Sequence, residues 1–257
     1  MKHRFLTAEW RKLAMANYEI DPSILRPHLP ANTELDLWND KCYVSLVGFM
    51  FKDVRVKGIR VPFHVDFPEV NLRFYVRCRV SDQFKRGVVF VREIVPKPAI
   101  TIVANMLFRE RYMTLPMRYD WQTDDQRMRV SYQWKKSGRW NKLETVSPAK
   151  PVTLGEGSME EFITEHFWGY SQINQQKTGE YRVDHPRWDV YDVNEYVVDC
   201  DFARLYGKEF GFLQNQPPAS VFLAEGSPIS VFQKKVLSGS SWPANGMPRS
   251  QNPIGPR

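Results

Sequence analysis

Cysteine is scarce in this chain: its 257 residues include only Cys42, Cys78 and Cys200. The number is odd, the spacings are wide and no C-x-x-C occurs, so neither a disulfide framework nor a zinc site is indicated. Buried, reduced thiols in a reducing compartment are the expectation. The histidines are His3, His28, His64, His166 and His185, and none falls into an H-x-x-x-H or H-E-x-x-H spacing, so no metal motif is present. Also missing are G-x-S-x-G, G-x-G-x-x-G and P-loop sequences, and with them the usual marks of a serine hydrolase, a dinucleotide site and a triphosphate site. No window approaches the run of about 20 apolar residues that crosses a bilayer. The opening "MKHRFLTAEWRKLAMANYEID" has no uninterrupted apolar stretch of signal-peptide type. The expectation is a cytoplasmic protein with no membrane association, no metal and no cofactor.

Long runs of one charge are missing too. The net charge is +7 and the sequence pI is near 9.3, but no Lys/Arg run exceeds a pair and nearly as many acids are interspersed. A mildly basic, solvated surface is the simpler reading. Nucleic-acid binding is the rival class, because exposed aromatics can stack on single-stranded bases. It requires basic and aromatic side chains to share one open face.

What the chain does have is aromatic residues, 14% of the total with 8 Trp, and these favour pleated surfaces. "YEIDPSILRPHLP" carries a helix start, with Asp21 as cap and Pro22 in the first turn. "ELDLWNDKCYVSLVGFMF" reads as a hairpin turning at "WNDK". Its second arm, 42–51, is apolar at nearly every position and should be covered on both faces. Residues 66–77 and 86–95 read as the next two strands. Ile100, Val103, Ala104 and Leu107 fall at helical spacing after a proline, which predicts a short buried helix. "MTLPMRYDW", "RMRVSYQW" and "RWNKLETV" form a meander, the last two joined by "KKSG". Ser158 and Glu161 have capping-box spacing, and further strands are expected near 165–172, 180–185, 194–199 and 219–236. Many close strands, few helices and no βαβ alternation indicate a mainly antiparallel α+β domain of barrel type. The domain spans 1–237, and the Ser/Pro/Gly-rich 238–257 is expected to be a disordered tail.

The stretch "DFPEVNLRFYVR", 66–77, carries the functional argument. Val70, Leu72, Phe74 and Val76 alternate with Glu69, Asn71, Arg73 and Tyr75. On an ordinary half-buried sheet the second set would face water. Here the neighbouring strand is apolar on both faces, and Asn, Arg and Tyr bond directionally. A small barrel can hold one small molecule, so an inward-facing row of this kind makes a site for an anionic or keto-bearing ligand. Glu69 and Arg73 lie on one face and are expected to pair, offsetting part of their desolvation. Arg92 and His185 are candidates for the rim. The adjacent pairs Lys135/Lys136 and Lys234/Lys235 fall in a turn and near a strand end, which suits surface lysines. Lys97 stands alone between two prolines.

These residues also carry a resemblance. "AEWRKLAMANYEIDPSILRPHLPANTELDLWNDKCYVSLVGFMF", "FPEVNLRFYV", "RGVVFVREIVPKPAITIVANMLFRERYMTLPM", "EEFITEHFWGY", "DHPRWDVY" and "FLAEGSPISVF" resemble the YqjF-type family of uncharacterised proteins over about residues 5–237. The resemblance implies the acetoacetate decarboxylase-like fold, a cone-shaped antiparallel barrel with a few short flanking helices. It also makes residues 10–20 a strand. Acetoacetate decarboxylases carry an Arg-Glu segment followed by Pro-Lys-Lys, in which one lysine forms a Schiff base and its neighbour perturbs it. This chain has Arg92, Glu93, Ile94, Val95, Pro96, Lys97 and Pro98: the gap is shorter and Pro98 stands in place of the second lysine. Lys97 is thus the candidate imine-forming residue if the chain is a lyase of that type, and Glu69 the match to the decarboxylase's cavity glutamate. The ligand, any reaction and the oligomeric state are left open.

Overall fold

The computed structural model describes residues 4–108 and 110–238. The described chain runs through β1 (Arg4–Ile20), α1 (Pro22–Leu25), β2 (Glu34–Leu35), β3 (Cys42–Val56), β4 (Ile59–Arg60), β5 (Phe67–Val80), β6 (Gln83–Val95), α2 (Pro98–Phe108) and β7 (Tyr112–Thr114). It continues with β8 (Met117–Thr123), β9 (Arg127–Lys136), β10 (Arg139–Pro148), α3 (Met159–Thr164), β11 (Trp168–Gln172), β12 (Lys177–Asp184), β13 (Val190–Asp192), β14 (Glu195–Asp199), α4 (Phe202–Tyr206), β15 (Ser220–Phe232) and β16 (Lys235–Ser238). Short 3₁₀ turns cover Arg26–His28 and Lys208–Asn215.

The long strands close into a ring in the order β15, β1, β3, β5, β6, β11, β12 and back to β15. Closure is made by Val183 and Asp184 opposite Val231 and Ser230. The pairings are antiparallel except between β6 and β11, where Trp168 lies opposite Gly87 in parallel register. Closing the sheet removes its edges and gives each strand one inner and one outer face. The meander β8–β9–β10, extended by β14, forms a separate four-stranded sheet packed on the outside of the ring. Together with α4 and the 3₁₀ turn after it, this sheet covers Val70, Leu72, Phe74 and Val76, so the even positions of β5 enter an outer core with Tyr132, Trp134, Phe202 and Phe210. The odd positions can then point only into the ring.

Gly48 shows how tightly the two layers meet. It lies on the outer face of β3, and a Cβ there would fall 2.7 Å from Cδ2 of Tyr132. The Tyr132 ring fills that space, and its hydroxyl donates to the Lys12 carbonyl at 2.8 Å. Lys12 has a positive φ of 53° and marks a bulge in β1, where the register shifts between Arg11 and Ala14. The bulge changes the inward set from Leu6, Ala8 and Trp10 to Leu13 and Met15. A second bulge, at Val91 in β6, does the same: Arg73 pairs Phe90 while Leu72 pairs Arg92. Phe90 and Glu93, three residues apart, therefore both face inward.

Most expected elements are present, with these corrections. The arm before "WNDK" meets the next strand only at the Trp38–Lys41 bridge, and β2 instead pairs β5. Helix α2 forms but is not buried all round: Ile100 and Ala104 of its predicted apolar face are half-buried and line the cavity, while Ile102 at 58% and Met106 at 74% exposed face outward, because the helix lies across one end of the ring rather than inside it. β13, α4 and the 3₁₀ turn over Lys208–Asn215 were not anticipated, since each is short and lacks a periodic signal. Ser238 ends β16, and the expected disordered tail beyond it lies outside the described residues. No helix among the described residues is long and apolar enough to cross a membrane.

Substituting Gly48→Val should force Tyr132 away from the ring. Overpacking of this kind costs about 1–3 kcal/mol, equivalent to a fall in Tm of roughly 5 °C for a chain of this size. Thermal unfolding followed by circular dichroism checks it.

Candidate functional site

The ring encloses a cavity of about 250 Å³. For scale, an apolar cavity of roughly 150 Å³ holds benzene. Its wall is mostly apolar, with Trp10, Phe49, Phe51, Phe67 and Phe90 prominent, and it reaches the exposed Val61 and Ala99, which mark the mouth between the β3–β4 hairpin and α2. The polar part is concentrated on β5, β6 and the segment entering β7.

Glu69, Asn71 and Arg73 project inward from successive odd positions of β5 and line the cavity. The polar row does not face bulk water. Glu69 accepts from Asn71 Nδ2 at 3.0 Å on Oε1 and from the Tyr112 hydroxyl at 3.3 Å on Oε2. The expected Glu69–Arg73 pair is not formed. Four strand residues separate their Cα atoms by about 13 Å, and Asn71 lies between them and takes Glu69 for itself. Arg73 is only 8% exposed. Its guanidinium makes a long Nη2 approach to Met15 Sδ at 3.9 Å and lies 5.9 Å from the Tyr75 ring, and its Nε has no hydrogen-bond partner. Among the described residues no carboxylate forms an ion pair with it.

Two further carboxyl groups, which the sequence reading did not single out as site residues, join Glu69. Glu93 is brought in by the Val91 bulge opposite Asn71, and Glu110 lies just before β7. They are 3% and 9% exposed. Tyr112, opposite Glu93 in the β6–β7 pairing, stands within hydrogen-bonding reach of both Glu69 and Glu93. Tyr181 bonds Glu110. Gly169 makes room for it, since a Cβ there would fall 2.1 Å from the Tyr181 ring. Burial, which disfavours the charged form, raises all three carboxyls. Glu69 is pushed up to about 7, against the donors Asn71 and Tyr112 and the Arg73 charge. Glu110 is pushed up to about 8, and Glu93 well above the ordinary range with Glu110 and Glu69 adding to the effect.

His166 is a further residue the motif reading did not select. Its Nε2 lies 3.0 Å from Asp36 Oδ2, and Asp36 also pairs with Arg86 at 2.6 Å. Those two partners hold the Asp36 carboxyl below its usual value despite burial. An ionised Asp36 can only accept, so the His166 Nε2 carries the proton and Nδ1 presents a lone pair. Burial pushes the His166 imidazole down to about 4, and its Nδ1 has no hydrogen-bond partner. Buried polar atoms without a protein partner are rare in native folds. Asn71 Oδ1, Arg73 Nε, Glu93 Oε2, Glu110 Oε1 and His166 Nδ1 all lack one, and all five residues line this cavity.

The remaining sequence candidates are placed differently. His185 lines the cavity, stacked on Trp188 at 4.2 Å, and burial lowers its pKa. Tyr75 points inward but is not in the cavity wall. Its hydroxyl meets Ser45 at 2.6 Å in a buried chain through Asn17 to Ser220. Arg92 does not reach the cavity: it lies beyond the bulge on the outer face and donates to the Leu205 carbonyl, fastening α4. Lys97 is not in the cavity wall either. It precedes α2, where its carbonyl accepts from Ile100 and Thr101. No lysine side chain lines the cavity among the described residues.

The family model for DUF2071, described as an uncharacterized conserved protein, matches residues 7–228. The chain belongs to this family. A relative, the uncharacterized protein YqjF of Bacillus subtilis (strain 168), is 27% identical over 169 residues, 63% of this chain and 65% of that protein's length. Among solved structures, the enduracididine biosynthesis enzyme MppR with HEPES buffer bound is similar at TM-score 0.65 and 10% identity, covering 94% of this chain and 90% of that one. An acetoacetate decarboxylase from Legionella pneumophila is similar at TM-score 0.62 and 12% identity, covering 92% and 88%. At such identities the likeness is one of fold. The DUF2071 chain thus has the acetoacetate decarboxylase-like barrel, as the resemblance implied.

The raised carboxyls make stability depend on pH. Glu110 binds a proton in the folded state up to about 8, whereas an ordinary glutamate loses it near 4.5. The folded state therefore holds more protons, and stability falls as pH rises through this window. Glu110→Gln should remove that loss, so the drop in Tm between pH 5 and pH 9 should be smaller in the variant, by several °C. Melting curves at the two pH values decide it.

Proposed function

We propose that the DUF2071 barrel binds a small organic carboxylate inside its ring, with the ligand's anionic group on Arg73. The observation that carries this reading is a buried guanidinium with no carboxylate partner. A charge removed from water is costly unless something of opposite sign meets it, and a planar guanidinium matches a carboxylate in two-point geometry. The raised glutamates favour the same reading. With Glu93 and Glu110 neutral, the nearby wall repels an anion less and offers carboxyl O–H donors to a carbonyl or hydroxyl oxygen. The aromatic wall towards the mouth suits an apolar body. Two similar folds are consistent with a small keto acid: the decarboxylase is named for acetoacetate, and MppR has been solved complexed with pyruvate.

Thermal-shift and calorimetric titrations with pyruvate, acetoacetate, 2-oxohexanoate and phenylpyruvate test this. At least one should raise Tm, by an amount that grows with the logarithm of its concentration, while its uncharged amide should not. Arg73→Met should abolish the shift without lowering the Tm of the unliganded protein, because it removes a buried charge along with its anion site. A panel without a shift, or undiminished binding by the variant, would overturn the reading.

A further inference from the structure

The three carboxyl groups at the polar end of the cavity are not equivalent in their hydrogen bonding. Glu69 receives a donor on each oxygen, Asn71 Nδ2 on one and the Tyr112 hydroxyl on the other, an arrangement that suits an anion. Glu93 Oε2 and Glu110 Oε1 have no protein partner. Tyr112 has one hydroxyl proton to give and stands beside both Glu69 and Glu93, so the two glutamates cannot both be held by it as anions. The cavity wall thus pairs one carboxylate held as a base with neutral carboxyls able to act as acids. Pairs of titratable groups whose surroundings push them into different protonation states mark acid and base roles.

We propose that this barrel catalyses reversible enolisation of oxo carboxylates, with Glu69 taking a proton from the carbon beside the carbonyl and Glu93 giving one to the carbonyl oxygen. The proposal rests on the ligand reading above, with Arg73 holding the substrate carboxylate. In the forward step the C–H bond breaks and its electron pair forms the C=C bond of the enol. The carbonyl π pair moves to oxygen, which takes the Glu93 proton. Glu69 is left protonated and Glu93 ionised, and the reverse step restores both, so no oxidant, reductant or second substrate is consumed. Tyr112 is a positioning residue here: it holds the Glu69 carboxyl towards the cavity. The assignment needs no lysine: among the described residues none lines the cavity wall, and Lys234, whose charge acts on Glu110, bonds Ser171. Burial adds to the effect by keeping the base near neutrality, with Glu69 at about 7, where general bases work best.

The test follows loss of the C–H signal beside the carbonyl by proton NMR in D₂O, with 2-oxobutyrate, 2-oxohexanoate and 4-oxopentanoate as probes, alongside thermal shifts with the same compounds. At least one probe that binds should exchange about 10-fold or more faster than in buffer. Glu69→Gln should return exchange to the buffer rate and keep the thermal shift. Glu69→Asp, which keeps the charge but withdraws it by one methylene, should slow exchange about 10-fold and gives a second route if the amide variant misfolds. Arg73→Met should lose both signals. Binding without exchange in the wild type would overturn this proposal and leave the ligand reading standing, whereas failure to bind would remove both. Undiminished exchange in Glu69→Gln would overturn the assignment of the base. So would a lysine adduct trapped by borohydride during exchange.

Discussion

A strand has two faces, and in β5 both are covered. The outer sheet, α4 and the 3₁₀ turn after it enclose Val70, Leu72, Phe74 and Val76, while ring closure encloses Glu69, Asn71, Arg73 and Tyr75. The whole site depends on this double enclosure. If the outer sheet were absent, the even positions would be the exposed apolar side. The strand would then have no reason to turn polar residues into a low-dielectric space, where an unpaired charge is expensive.

Enclosure also sets the electrostatics. Burial raises Glu69, Glu93 and Glu110 together, but Glu69, with a donor on each oxygen, reaches only about 7, so near pH 7 the buried Arg73 cation shares the cavity with a partly ionised Glu69 and with Glu93 and Glu110 held neutral. A buried cation without a carboxylate partner carries a cost in stability. Tyr75 and Arg92 show the contrast: the Tyr75 hydroxyl is committed to Ser45, and the partly exposed Arg92 gives Nη1 to the Leu205 carbonyl.

The two bulges are the least regular features of the ring and the most consequential. At Lys12 the bulge turns β1 so that Trp10 and Leu13 both face the interior, and Tyr132 from the outer sheet bonds the freed carbonyl. At Val91 the extra residue places Glu93 beside Asn71 and sends Arg92 outward. In a strand without that bulge Glu93 would share the outer face with the apolar core of the second sheet.

Alternation along residues 66–77 separated a polar row from an apolar one and the family resemblance favoured the polar row as the inward one, while capping at Asp21 and Ser158 and the turn at Ser137 and Gly138 followed from local chemistry. The expected Glu69–Arg73 pair failed because two positions on one strand face lie farther apart than a salt bridge reaches, with Asn71 between them. Glu93 was hidden because a bulge changes face without any compositional mark. Glu110, Tyr112, His166 and Tyr181 were hidden because they converge from separate segments, and no single-strand periodicity records which distant strand will face which. The sequence alone therefore determined which side chains of β5 leave the outer core, since that depends only on a period of two. The closing of the ring decided what those side chains meet, since that depends on contacts between residues up to more than a hundred positions apart, such as Asp36 with His166.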